Sequence, residues 1–277
     1  MVLRFLAIIF IAMICLCTAV TAQPKRIVST NLCSDQYLIA LADRSQIAGL
    51  SLFARDQSLS YYYKAAKLYP IVSSTAEAIL PLKPDLIVGS PSRRLQTRAL
   101  LRRFGLPIID IGTDRSFEDI VRHTRMIAAA IGHPERGEAL IATMRAELAA
   151  VAVTRAQPEP VAVHYQRQGL VTGTNTLMGD MMKRAGLRNL AAQFGDTRLS
   201  RVDLETIVAA QPDFILYTND LRDIRDWGAA LLDHPALVHA VHSRRIYVPD
   251  NLTVCGGPSF PKAVAELAVQ IQRSPAH

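Results

Sequence analysis

The side chains able to do chemistry in this sequence are few. Four are cysteines: Cys15 and Cys17 stand in an N-terminal apolar run, and Cys33 and Cys255 lie near the two ends of the remainder. In an oxidising compartment a pair of cysteines most often forms a disulfide. Two free thiols, or ligation of a metal or cofactor, are the other chemistries open to them. Histidine offers less. Zinc needs three or four converging ligands. His239 and His242 stand at near-helical spacing, yet no acid or cysteine joins them. Surface or capping roles are expected of these two and of His123, His133 and His234. No metal site is therefore expected.

Arginine and tyrosine suit ligand binding better. Arg55, Arg93 and Arg167 could grip carboxylate or phosphate, because guanidinium makes paired hydrogen bonds to such groups. The alternative for each is a solvated surface side chain. Arg94, Arg98, Arg102 and Arg103 read as the wet face of a helix. Tyr61, Tyr62 and Tyr63 could pack on a large planar ligand, with ordinary packing expected of at least two of them. Catalytic signatures are missing. The sequence has no Gly-x-Ser-x-Gly elbow, no phosphate-cradling Gly-Lys-Ser/Thr loop and no His-Glu-x-x-His. No Cys-x-x-Cys supports a redox protein. The reading is a binding protein and not an enzyme, although fold alone excludes no catalyst.

The N-terminus predicts export. Arg4 precedes an uncharged apolar run, and Val20-Thr21-Ala22 places small residues where a signal peptidase cuts. The run is short for a bilayer span. A signal peptide over 1–22, cleaved after Ala22, and a periplasmic product are expected. A retained anchor or a lipoprotein is the alternative, but neither Cys15 nor Cys17 follows a small residue. Lys and Arg exceed Asp and Glu, 31 to 24, giving a net charge of +7, one less without Arg4. The excess serves solubility or an anionic ligand. Nucleic acid fits poorly, because export removes the targets and no basic stripe interleaved with aromatics occurs.

Stepping along the chain, short apolar runs alternate with helical patterns. Strands are predicted over 26–29, 47–52, 85–89 and 107–111, with helices over 33–42, 95–104 and 116–131. Pro134 opens a long helix over 134–155, a favoured place for proline. Strands over 161–166, 214–217 and 245–248 follow, with helices over 177–185, 204–210 and 261–272. This alternation predicts an α/β fold of two lobes, each a mostly parallel sheet flanked by helices. One long helix bridges them. The expected division is 23–132 for the first lobe, 133–157 for the linker helix and 158–277 for the second lobe. An internal echo supports it: Glu77 precedes Pro84-Asp85 by the spacing at which Glu205 precedes Pro212-Asp213, and an apolar strand follows each.

The whole of the chain after the leader resembles the solute-binding proteins for vitamin B12, ferric siderophores and haem. Arg26-Ile27-Val28-Ser29-Thr30-Asn31 looks like that family's first strand and ligand loop. The two Glu–Pro–Asp segments, residues 172–189 and Arg245-Ile246-Tyr247-Val248-Pro249-Asp250 match its later elements in order and spacing. The resemblance implies a cleft between lobes that holds a metal chelate, with small lobe motions. It implies delivery to an inner-membrane ABC permease and its ATPase. It also implies that Glu77 and Glu205, one per lobe, dock on basic residues of the permease. A ligand-binding sensor subunit is the alternative.

Ligand contacts are expected from the loops after the strands. In the first lobe these are Asn31, Leu32, Cys33, Phe53, Arg55, Tyr62, Ser90 and Arg93. In the second they are Gln166, Arg167, Thr174, Asn175, Tyr217, Asn219, Gly256 and Pro258. Cys33 and Cys255 both fall in such loops, where a disulfide would tie the ends of the two lobes. Trp227 is the single tryptophan, so the tryptophan-rich pocket of B12 receptors is not reproduced. The expected cargo is a corrinoid or another tetrapyrrole-like chelate, or an iron chelate, with no covalent cofactor. A monomer is expected.

Overall fold

A computed structural model of the chain describes residues 23–152, 158–195, 198–218, 234, 235, 237 and 244–273. The predicted leader and part of the predicted linker lie outside them. The first lobe comprises β1 (Ile27–Ser29), α1 (Leu32–Leu41), β2 (Ile47–Gly49), α2 (Ala76–Ile79), β3 (Leu86–Gly89), α3 (Leu95–Arg103) and β4 (Ile108–Asp110). Its four strands are parallel in the order β2-β1-β3-β4. Every residue of β1 and β3 is buried, as a sheet covered on both faces requires. Alternate side chains serve opposite faces. Val28 and Ile87 pack with Ile79 and Leu101 under α2 and α3. Ile27, Leu86 and Val88 pack with Tyr37, Leu38 and Leu41 under α1.

Two helices then cross between lobes, α4 (Phe117–Ala130) and α5 (Pro134–Ala149). The predicted long helix is shorter than 134–155: it has 16 residues and ends against Ala150, a rod of about 24 Å. Its neighbour shares the bridging. Phe117, Ile120 and Val121 of α4 belong to the second-lobe core. Ile127 and Ala128 of the same helix, with Ile131 just beyond it, belong to the first. Gly137 lets the hairpin close, since a Cβ there would lie 2.6 Å from that of Ala128.

The second lobe comprises β5 (Val161–Gln166), β6 (Leu170–Thr172), α6 (Leu177–Arg184), β7 (Arg188–Asn189), β8 (Leu199–Arg201), α7 (Leu204–Ala210), β9 (Phe214–Tyr217), β10 (Arg244–Tyr247), α8 (Asp250–Thr253) and α9 (Phe260–Arg273). Strands β7, β5, β9 and β10 pair in parallel in that order, which repeats the first sheet. Strands β6 and β8 add an antiparallel flap at the cleft end of β5. The echo in the sequence has a structural basis. Helices α2 and α7 each lead to a left-handed residue, Lys83 and Gln211. Pro and Asp follow, and the carboxylate pins the lobe's first strand. Asp85 accepts from the backbone N–H of Lys25 at 2.7 Å and of Arg26 at 3.0 Å. Asp213 accepts from that of Val161 at 2.7 Å.

Each lobe also buries a titratable group that departs from its ordinary value, Asp35 in the first and His164 in the second. Asp35 accepts from the Ser51 N–H at 2.9 Å and from its hydroxyl at 2.5 Å. Burial raises its carboxyl to about 6, against the lowering effect of hydrogen bonds from Ser29 and Ser51. His164 on β5 pairs through Nδ1 with the Thr172 hydroxyl at 2.8 Å, and burial holds it down to about 4. The two oppose each other in linkage. Folded Asp35 keeps a proton that the unfolded chain releases at 3.8, so its contribution is lost as pH rises to about 6. Folded His164 refuses a proton that the unfolded chain takes at 6.5, so its contribution is lost as pH falls to about 4. The expected result is opposite slopes in two variants. Relative to wild type, the stability of Asp35→Asn should rise with pH over this window, and that of His164→Asn should fall. Each slope should approach about 1.4 kcal/mol per pH unit. Urea melts at several pH values measure both, and slopes of one sign would refute the assignment.

Candidate functional site

Parallel pairing puts all strand C-termini of a lobe on one edge. Cys33, in the first turn after β1, is bonded to Cys255, which follows β10 and α8; their Cα atoms are 5.3 Å apart. The two edges therefore face each other. Beside the disulfide the second lobe lies flat on the first. A Cβ on Gly256 would fall 2.4 Å from Asp114 Oδ2, and one on Gly257 3.8 Å from the Tyr37 ring. Asp114 is itself held, accepting from the Tyr37 hydroxyl at 3.3 Å and paired with His123 Nδ1 at 2.7 Å. Farther along, residues 51–63 form a strap from the first lobe. Asn251 Nδ2 donates to the Gln57 carbonyl at 3.2 Å, and Lys262 Nζ lies 5.0 Å from the Tyr61 ring.

The proposed first-lobe contacts divide by what already holds them. Asn31 caps α1, accepting from the Ser34 N–H at 3.0 Å. Leu32 is buried and Cys33 is bonded. Arg55 reaches back to the carbonyls of Ala66 and Tyr69, at 3.3 and 2.6 Å. Tyr62 is half-buried, edge-on to Tyr61 at 4.8 Å, and burial pushes its hydroxyl up to about 12. What stays open is Phe53, 55% exposed beside Leu52 at 61%, and Arg93 after β3, while Ser90 is half-buried with its hydroxyl against that of Ser92.

The second lobe divides likewise. Gln166 donates to the Thr172 hydroxyl at 2.5 Å, beside buried His164. Tyr217 is buried in the core, and Arg245 lies over its ring at 5.5 Å. Gly256 and Pro258 are buried at the seam. Thr174 and Asn175 are exposed in the turn before α6, as is Arg167 in the turn after β5. Gly179 makes the former turn possible: a Cβ there would strike the Thr174 carbonyl at 2.6 Å. Asn219, Trp227, His239 and His242 lie outside the described residues. Among the described residues no group of three His, Cys, Asp or Glu could hold a metal ion, and no helix is long and apolar enough to cross a membrane.

Comparison with known proteins decides the class. The model of one family, periplasmic binding protein, matches residues 27–252. The chain belongs to that family. Among relatives, a cobalamin-binding protein of Halobacterium salinarum is 28% identical over 247 residues, 85% of this chain and 64% of its own length. A vitamin B12-binding protein of Pectobacterium carotovorum is 27% identical over 230 residues, 78% of each chain. Among solved structures, the periplasmic heme-binding protein of Roseiflexus sp. RS-1 in apo form superposes with a TM-score of 0.76. It is 28% identical, and the match covers 90% of this chain and 98% of that one. These likenesses carry the two-lobed α/β architecture over to this binding protein.

Several residues that tie α4 to the second lobe of this periplasmic binding protein carry no sequence signal for that contact. Arg184 pairs with Asp180 at 3.0 Å and with Glu118 at 3.2 Å. It also lies over the rings of Phe117 and Phe260, at 5.2 and 5.8 Å. Asp180 in turn accepts from the Phe117 N–H at 2.8 Å, at the start of α4. Asp180 shares α6 with Arg184, Glu118 and Phe117 stand on α4 and Phe260 opens α9, so only the fold brings the three helices together. The Gly–Gly pair at 256–257 was the legible trace of the seam, since glycines mark close backbone approach. A Gly256→Ala substitution is expected to cost roughly 1–3 kcal/mol by overpacking against Asp114. Thermal denaturation checks it; an unchanged melting temperature would free Gly256 for a ligand-facing role.

Proposed function

We propose that this protein captures a large metal chelate in the interlobe cleft and delivers it to the permease of an ABC importer. A corrinoid or haem is the favoured cargo, with a ferric siderophore the remaining member of the class. The observation that carries the reading is the clasped seam. It ties a strand-end loop of one lobe to one of the other, with Phe53, Arg93, Arg167, Thr174 and Asn175 exposed and Ser90 half-buried. On this reading Phe53 offers apolar surface to a planar macrocycle and Arg93 a guanidinium to its acid substituents. The cobalamin- and heme-binding names of the relatives support the same class. Division into lobes at 23–132 and 158–277, joined by 133–157, belongs to this reading, as do a cleaved leader and a periplasmic location.

Permease docking rests on the internal repeat. Glu77 and Glu205 are both exposed in the first turn of equivalent helices, α2 and α7. Two separated acids of this kind steer encounter and fix orientation on a basic partner. The test begins with purified protein titrated with cyanocobalamin, cobinamide, haemin and ferric siderophores, read by ligand absorbance and Trp227 fluorescence. Saturable one-to-one binding of one class is expected; a folded protein silent to all of them would overturn the reading. Uptake in cells carrying Glu77→Arg with Glu205→Arg should fall by about tenfold or more, with ligand affinity unchanged. Normal transport by that double variant would remove the docking role and leave the binding role standing.

A further inference from the structure

Arg98 does not lie on the wet face of α3, as its sequence pattern suggests. The residue is 6% exposed. Its Nη1 donates to the carbonyl of Ser90 at 3.0 Å and to that of Pro91. Its Nη2 donates to the carboxylate of Asp110, the last residue of β4, which also accepts from Arg102 at 3.0 Å. One guanidinium thus joins the turn after β3 to the end of β4.

That turn has little else to hold it. It ends at Arg94, whose backbone is left-handed at φ 53 and which gives α3 no side-chain cap. A left-handed residue other than glycine is strained and persists only where its surroundings over-determine it. Within the turn there are a long Arg93 N–H to Ser90 carbonyl bond of 3.4 Å and a Ser90–Ser92 hydroxyl contact of 3.3 Å. The buried fork is the main restraint. Lysine could not replace it, because an ammonium is a point donor on a flexible stem and cannot span two carbonyls and a carboxylate in one plane.

We infer that Arg98 is a positioning residue for the ligand: it touches no cargo but presents Ser90 and Arg93 to the cleft in a fixed geometry. The inference rests on reading the cleft as a chelate site. Its physical content is preorganisation. A turn already fixed loses less conformational freedom when ligand binds, so affinity is higher for the same contacts.

The test is a double-mutant cycle. Haemin, cyanocobalamin and a ferric catecholate siderophore are titrated into wild type, and the one bound becomes the probe. Arg93→Gln, Arg98→Lys and the double variant are then compared, with melting temperatures recorded alongside. Arg98→Lys should weaken binding by roughly tenfold. Arg93→Gln should cost about tenfold in the wild-type background and less than about twofold beside Arg98→Lys, because a contact that is no longer held in place has little left to lose. A purely structural arginine would lower the melting temperature and leave the Arg93 effect undiminished. Multiplying effects would overturn the inference, as would wild-type affinity in a folded Arg98→Lys. Should Arg98→Lys not fold, Asp110→Asn releases the same fork from outside the turn and takes its place. Wild type that binds none of the three probes would count against the chelate cleft itself, a failure separate from that of Arg98.

Discussion

Half-sites on two lobes make one cleft only if the lobes are held at a fixed distance and angle. That constraint is met at the seam beside the disulfide, where Gly256 has no room for a Cβ against Asp114. Contact that close tolerates neither sliding nor tilting, because interiors are packed too densely to deform gradually. Asp114 can serve as the anvil because Tyr37 and His123 hold its carboxylate from two sides. The Cys33–Cys255 bond fastens the same place covalently. Helices α4 and α5 add a second connection through a shared core, and Arg184, paired with Glu118, fixes the start of α4 to the second lobe. A structure tied in these ways suits recognition by small adjustment more than by wide closure.

Repetition of one strand order in both lobes explains why Glu77 and Glu205 and the strand-end loops occur in matched positions. In each lobe a left-handed residue, a proline and an aspartate turn a helix into a strand. The aspartate then anchors the first strand of its lobe. A glutamate near the start of that helix is favoured by the helix dipole wherever it occurs. Using the same turn twice places two such acids on corresponding points of the molecule.

Most of the fold was legible in the sequence, and the reasons differ by element. Strands such as β5 and β9 announced themselves as apolar runs between turn residues, since both faces of a parallel sheet are covered. The flap strands β6 and β8 did not, being short, antiparallel and partly polar. Periodicity overran the end of α5 because an alanine-rich stretch fits a helix whether or not it is one. Site residues were less legible. Solvated arginines and buried ones have the same spacing, so only the carbonyls of Ser90 and Pro91 reveal what Arg98 does. Arg55 and Asn31 stand in the predicted loops, yet their polar atoms are engaged by neighbouring backbone.

The disulfide also sets a timetable. Its two sulfurs are separated by 222 residues, and no other cysteine lies between them. At the ordinary pace of synthesis, about 5–20 residues per second, Cys33 waits roughly 10–45 s for its partner to be made. By then every strand of the first lobe's sheet has been made. Cross-linking must therefore wait until 222 further residues have been added after Cys33. Oxidation then joins two lobes whose paired strands, β1 to β10, have all been synthesised, and an enzyme that forms disulfides can make this bond only from that moment.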